Sequence, residues 1–296
     1  MKASLIVAAS GRDTHLVNTL RCALAQRYAQ LEVLVLDSVD NRSLIAEDFL
    51  ERKQARIRHM VLPKRSRLAL YNHALTHATG DVLIFITDHV SFGPYFVDQH
   101  MACYLEAQMG AVQGRIVTSE TASSRVPTLS RTCQLKGQFN CLAGGRTNRL
   151  GEHNFSVRRQ AAEQIGLFDE QMDASVEWAG ADYGLRCYQA GWHVRFEAQA
   201  ELVPHGRQSV ASERLRCQQR LEGHHLVAQA LFAHRHLSPL MRWCHRVLQR
   251  WQGWSDIQQR QNDAWKAVAA EADAIRVHAS EPSSLMIEVM TPHPHG

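Results

Sequence analysis

Apolar residues in the first 120 positions fall into short blocks of five or six, and the stretches between them carry apolar residues at helical spacing. The blocks predict buried strands at Leu5–Ala9, Leu31–Leu36, Ile57–Leu62, Val82–Ile86 and Ala111–Val117. Leu16, Leu20 and Leu24 recur every four residues after Asp13 and Thr14, either of which can cap a helix. Further helices are expected at Ser43–Lys53, at Leu68–Ala78 with Gly80 as its stop, and from Pro94 to Met109. Strand and helix alternating at this interval predict an α/β fold: a Rossmann-like, mostly parallel sheet with helices on both faces. Ligands of such sheets bind beyond the carboxyl ends of the strands.

The pattern changes at residue 118. Residues 118–153 are rich in Ser, Thr, Gly and Arg and have little periodicity, so they read as a long irregular insertion. Val194–Phe196 is expected to be a short strand, and from Ser212 the chain turns helical and rich in Arg and Gln before a loose tail. In the segment 239–254, Leu240, Cys244, Val247, Leu248 and Trp251 share one helical face, with Arg242, Arg246 and Arg250 mostly elsewhere. That face either packs on the domain before it or lies on anionic lipid as a peripheral membrane contact.

Composition narrows the function classes. A chain of 296 residues with 45% hydrophobic and 21% charged residues is of ordinary globular make-up. At this length it buries roughly 75% of its unfolded surface, so it needs no staples. A formal charge of +4 lacks the dense basic face of a nucleic-acid binder, so no nucleic-acid partner is expected. The seven cysteines are odd in number and form no CxxC pair, which reads as reduced thiols in a cytosolic protein. No stretch reaches the roughly 18 apolar residues of a membrane span. A soluble, cytoplasmic protein follows as the expectation, with the inner face of a membrane as an alternative location.

The candidate chemistry lies where strands end. Asp37 closes the second block and Asp88-His89 the fourth, Arg65, Arg67 and Asn72 surround the intervening strand–helix turn, and Asp182 and His205 follow in the second half. Two carboxylates, a basic pair and two histidines around one crevice suit a diphosphate carrying a divalent metal, Mn²⁺ or Mg²⁺.

In order, these motifs resemble those of family-2 glycosyltransferases with the GT-A fold, over roughly residues 3–209. The opening loop reads Ala8-Ala9-Ser10-Gly11-Arg12, the second strand ends in Asp37-Ser38-Val39-Asp40, and Arg67 and Asn72 precede Ala78-Thr79-Gly80-Asp81. The family's Asp-x-Asp metal motif is represented by Thr87-Asp88-His89. Its acceptor-side segments match Asn154-Phe155-Ser156-Val157-Arg158-Arg159 and Gly166-Leu167-Phe168-Asp169-Glu170. The chain departs from the pattern where Ser10 replaces an aromatic, where the metal triplet has lost its outer carboxylates, and where the acceptor-side acidic pair reads Ala181-Asp182.

The resemblance implies a GT-A domain over 1–210, with a nucleotide-sugar half at 1–117 and an acceptor half at 118–210, and a helical extension at 211–296. It implies inverting, metal-assisted transfer of a sugar from a nucleoside diphosphate sugar, UDP-linked, to a glycan or small-molecule acceptor, as in polysaccharide biosynthesis. Donor contacts would come from Ala8, Ser10, Arg12, Asp37, Arg65, Arg67, Asn72, Thr87 and Asp88, and metal contacts from Asp88, His89 and His205. Asp182 would be the general base, with Glu177 as the alternative acid, because the attacking hydroxyl must lose its proton. Asn154 and Trp178 would meet the acceptor, although Trp178 reads equally well as a core residue. Two rival readings remain. One is a non-catalytic GT-A module that binds a nucleotide sugar or a partner protein. The other is a nucleotidyltransferase, which would want a richer glycine loop than Ala8–Arg12.

Overall fold

The computed structural model describes residues 1–9, 13–38, 49, 56–63, 66–130, 133–151, 153–173, 176–205 and 228–242. The predicted alternation is present: β1 (Ala3–Ala8), α1 (Asp13–Leu24), β2 (Leu31–Ser38), β3 (Ile57–Leu62), α2 (Arg67–His77), β4 (Val82–Thr87), β5 (Val90–Phe92), α3 (Phe96–Cys103) and β6 (Met109–Ile116). Three two-residue strands follow, β7 (Thr128–Leu129), β8 (Leu135–Lys136) and β9 (Gly145–Arg146). Then come β10 (Asn154–Arg158), α4 (Arg159–Ile165), α5 (Val176–Gln189) and β11 (His193–Pro204). Helix α6 occupies 228–236, and 239–242 are again helical. The expected helix at Ser43–Lys53, the tail and most of 239–254 lie outside the described residues.

The main sheet runs β3-β2-β1-β4-β10-β6-β11-β5, with β9 beside β11. The first four strands are parallel, β10 is antiparallel to β4 and β6, and β11 is parallel to β6. Successive residues of the central strands face opposite layers. Leu5, Val7, Val33, Val35, Ile84 and Ile86 pack with Leu16 and Leu20 of α1 and Phe96 of α3. Ile6, Ala8, Leu34, Leu36, Leu83 and Phe85 pack with Leu70, Tyr71 and Ala74 of α2. Covering both faces is why these strands read as unbroken apolar runs. Ala8 pairs with both Leu36 and Thr87, so β1 and β4 end level while β2 runs two residues further to Ser38.

Several strand bounds shift by one or two residues, and three further differences have tertiary reasons. The helix from Pro94 stops at Cys103, and Met109 already belongs to β6. The Arg158 guanidinium binds the carbonyls of Tyr104 and Glu106 at 2.9 Å each, which accommodates backbone groups freed by the early stop. Helix α2 is capped by Ala78, not by Gly80. Gly80 is needed for close approach, since a Cβ there would come within 2.6 Å of Ser4 N. The expected strand Val194–Phe196 extends over twelve residues, pairing first with β6 and then with β5. Its alternation of Val194, Phe196, Ala198, Ala200 and Leu202 is regular but relies on small alanines. Of the C-terminal extension, Ala228 and Phe232 are buried in the sheet's own core, so α6 is part of that body.

Candidate active site

The neighbouring ends of β1, β2 and β4 gather buried polar groups. Asp37 and Ser38 end β2 and Thr87 ends β4, all nearly inaccessible. The Ser38 N–H donates to Asp37 Oδ1 at 2.7 Å, and Asp37 Oδ2 lies 3.7 Å from His59 Nε2. Among the described residues, the Ser38 Oγ and Thr87 Oγ1 hydroxyls have no hydrogen-bond partner. Buried hydroxyls left unsatisfied at the mouth of a parallel sheet are suited to a polar ligand. Ala8 ends β1 between them and Arg67 opens α2, whereas Ser10, Arg12 and Arg65 lie outside the described residues.

Beyond Thr87 the chain turns through Asp88-His89 before β5. Asp88 is fully buried and its Oδ1 lies 3.1 Å from His89 Nδ1. The turn is pinned from α1, where Thr19 Oγ1 lies 3.0 Å from the Asp88 carbonyl and accepts the Val90 N–H at 3.1 Å. The far end of β11 reaches the same turn, and the His205 N–H donates to the His89 carbonyl at 2.6 Å. His15 from α1 stacks on His205 with centroids 6.1 Å apart, and His153, just before β10, lies edge-on to His89 with centroids 5.7 Å apart. Burial, with the neighbouring His15 and His89, holds the His205 imidazole below its ordinary range. The expected residues Asp88, His89 and His205 lie at one turn, joined there by His15 and His153, which the sequence reading did not single out. Antiparallel β10 delivers His153, because its first residue, Asn154, pairs with Ile86 near the end of β4.

The acceptor-side expectations divide. Asp182 is 1% exposed and both its oxygens are occupied. Arg186 donates to Oδ2 at 2.7 Å, while His236 at 2.7 Å and Arg235 at 3.2 Å, both from the end of α6, meet Oδ1. Burial alone would raise its pKa, but the His236 hydrogen bond and the Arg186 and Arg235 charges outweigh it and hold the carboxyl below its ordinary value. A sealed, stabilised carboxylate is a weak base, so the expected role of Asp182 is not supported by its surroundings. Glu177, in the first turn of α5, has a side chain 35% exposed and accepts from Arg149 Nη2 at 2.5 Å. Arg149 is itself buried and lies over the Phe139 ring at 4.6 Å. Sequence reasoning missed that Arg149, Arg235 and His236 would decide between the two acids.

Three other expected contacts are consumed by the fold. Asn154 is buried, its amide donating to the Arg115 and Ala200 carbonyls and its Oδ1 meeting His100 Nε2. Asn72 bonds both the carbonyl and the N–H of Phe168, tying α2 to the loop before α5. Trp178 is 2% exposed and packs on Phe232, so its core reading is the one that holds.

Among the described residues, no group of three His, Cys, Asp or Glu side chains lies close enough to hold a metal ion alone. That is compatible with a diphosphate-borne metal, which takes one or two protein ligands and completes its shell with phosphate oxygens and water. Hard cations such as Mn²⁺ take mainly oxygen ligands, so in such a site the diphosphate and water would supply most of the shell and the imidazoles of His89 and His205 at most the remainder.

A family model described as glycosyl transferase family 2 matches residues 4–166. No curated protein matches the chain by sequence. Among solved structures, the chain superposes on GalNAc-T7 with UDP, GalNAc and Mn²⁺ at a TM-score of 0.66 and 11% identity, covering 95% of this chain and 58% of that one. The chain therefore spans 58% of the length of that structure. It superposes on the mannosyltransferase PcManGT from Pyrobaculum calidifontis, in complex with GDP-Man and Mn²⁺, at 0.61 and 15%, covering 94% and 79%. S. aureus TarS with UDP-GlcNAc gives 0.54 and 14%, covering 89% and 79%. These likenesses establish the GT-A fold. No helix among the described residues is long and apolar enough to cross a membrane.

Proposed function

Because the chain belongs to glycosyltransferase family 2, we propose that it transfers a hexose from a nucleoside diphosphate sugar, UDP-linked, to an acceptor hydroxyl, with inversion and with a divalent metal. The observation that carries this reading is the placement of Asp37 and Ser38 at the end of β2, Thr87 at the end of β4, and Asp88-His89 in the turn that β11 reaches through the His205 N–H. The solved neighbours carry UDP, GDP-Man or UDP-GlcNAc, which supports a nucleotide-sugar donor. Their Mn²⁺ supports a metal here.

Asp37 and the two open hydroxyls would engage the nucleoside, with Ala8 lining its path and Ser10, Arg12, Arg65 and Arg67 toward the diphosphate. His89 and His205 would hold the metal, which when bound neutralises charge on the departing diphosphate. Glu177 is the base in this reading, taking the proton from the acceptor oxygen as that oxygen bonds the anomeric carbon and the bond to the diphosphate breaks. Its partly open side chain favours it over Asp182. Such donors are cytoplasmic metabolites, so the reading goes with a cytoplasmic enzyme acting on a glycan, as in polysaccharide biosynthesis, with 239–254 as a peripheral membrane contact.

A second reading, a non-catalytic module that retains donor binding, is favoured by the absence of outer carboxylates from Thr87-Asp88-His89. One experiment addresses both: thermal stabilisation by a panel of nucleoside diphosphate sugars, with and without Mn²⁺, followed by assay for released diphosphate. Binding at 100 times Kd stabilises by about 2.7 kcal/mol. A Mn²⁺-dependent shift with one UDP-sugar plus turnover is expected. A shift without turnover would favour the module, and no shift with any sugar would reject the donor site.

A further inference from the structure

His89 leaves β4 with one ring nitrogen already committed. Its Nδ1 lies 3.1 Å from the Oδ1 of Asp88, a residue with no exposed surface. Among the described residues nothing hydrogen-bonds its Nε2. The backbone carrying the pair is fixed on both sides, by the Thr19 hydroxyl on one and by the His205 N–H on the His89 carbonyl on the other. A carboxylate that coordinates a hard cation must present an oxygen at the surface of the site. A carboxylate buried against the second nitrogen of an imidazole does something else: it fixes the tautomer and the ring plane and makes the other nitrogen a better ligand.

We propose that Asp88 is a positioning residue: its buried carboxylate holds the proton on His89 Nδ1, so that Nε2 is the atom offered to the metal–diphosphate. The inference rests on the metal-assisted reading above and revises it at one point, since the expected ligand Asp88 acts through His89. It also accounts for the unusual triplet. An imidazole standing where an outer carboxylate would be needs an orienting acceptor, and the adjacent aspartate supplies it.

The test separates the pair from the metal. Imidazole ¹⁵N NMR of the metal-free protein, with His89 assigned through His89→Gln, reads which nitrogen carries the proton. Electron paramagnetic resonance of free Mn²⁺ in the presence of UDP reads metal affinity. Both are measured for wild type, Asp88→Asn and Asp88→Ala. Wild type is expected to hold the Nδ1–H tautomer, and Asp88→Asn, whose amide oxygen still accepts, keeps it with near wild-type affinity. Asp88→Ala loses the single tautomer and weakens Mn²⁺ by about 10–100-fold. The proposal is overturned if wild-type His89 carries its proton on Nε2. It is equally overturned if Asp88→Asn binds Mn²⁺ as poorly as Asp88→Ala with the tautomer unchanged, which would make Asp88 a direct ligand. A locked Nδ1–H tautomer in a protein that binds no Mn²⁺ with any variant would instead reject the metal-assisted reading itself.

Discussion

Glu177 and Asp182 lie on the same helix, and their neighbours give them different surroundings. Glu177 shares one buried arginine and keeps an open face, whereas Asp182 is closed in by Arg186, Arg235 and His236. Glu177→Gln is expected to lower kcat by on the order of 10²–10⁴ while leaving donor binding intact. Asp182→Ala is expected to act on stability, costing about 1–3 kcal/mol in urea denaturation, because it leaves the Arg186 and His236 hydrogen-bonding groups without their acceptor. A stable Asp182→Ala protein with collapsed kcat would return the base to Asp182. In the sequence both residues are simply acids near a tryptophan. Their partners come from Arg149, 28 positions upstream of Glu177, and from His236, 54 downstream of Asp182, and no local pattern encodes those pairings.

At the scale of elements, the central strands were legible because burial on both faces leaves an unbroken apolar run. Boundaries set by contacts distant in sequence were not. Gly80 reads as a helix stop but is required by the close approach of β1, so Gly80→Ala is expected to destabilise by about 1–3 kcal/mol, read as a lower urea midpoint at unchanged slope. An unchanged midpoint would mean that the chain shifts freely at this crossing. The end of α3 depends on Arg158, and the length of β11 on pairing partners that occur far earlier in the chain. Helix α6 joins the core through Phe232 against Trp178. Phe232→Ala should therefore cost about 3–5 kcal/mol. A loss under 1 kcal/mol would show α6 to be an appendage, in line with a separate extension starting at 211.

At the scale of the molecule, buried titratable groups set the pH response. His100 sits between Asn154 Oδ1 and Ser156 Oγ, and burial, only partly opposed by the Asn154 hydrogen bond, pushes its pKa down to about 4. The unfolded chain takes up this proton near its ordinary value of 6.5, before the folded protein does. Stability from this group is therefore intact above about pH 6.5 and falls as the pH drops toward 4, by roughly 3 kcal/mol in all. Denaturation at pH 7.5 and pH 5 should show the loss in wild type and a smaller one in His100→Gln. Equal losses would place the sensitivity elsewhere. Asp182 adds a loss of the same sign at lower pH, since its depressed carboxyl stabilises the fold above its unfolded pKa and ceases to as the pH falls through the folded value.

The sequence by itself determined the α/β alternation, the parallel half of the sheet, and the placement of Asp37 and Asp88-His89 at strand ends, because apolar runs and their terminators are local signals. The tertiary structure alone decided how those side chains are used. It buried Asp88 behind His89, brought His205 to the same turn along an extended β11, and drew His236 onto Asp182. The physical reason is that burial and pairing are properties of juxtaposed segments. A carboxylate becomes a ligand, a base or an anchor only when distant parts of the chain supply its partners and exclude its water.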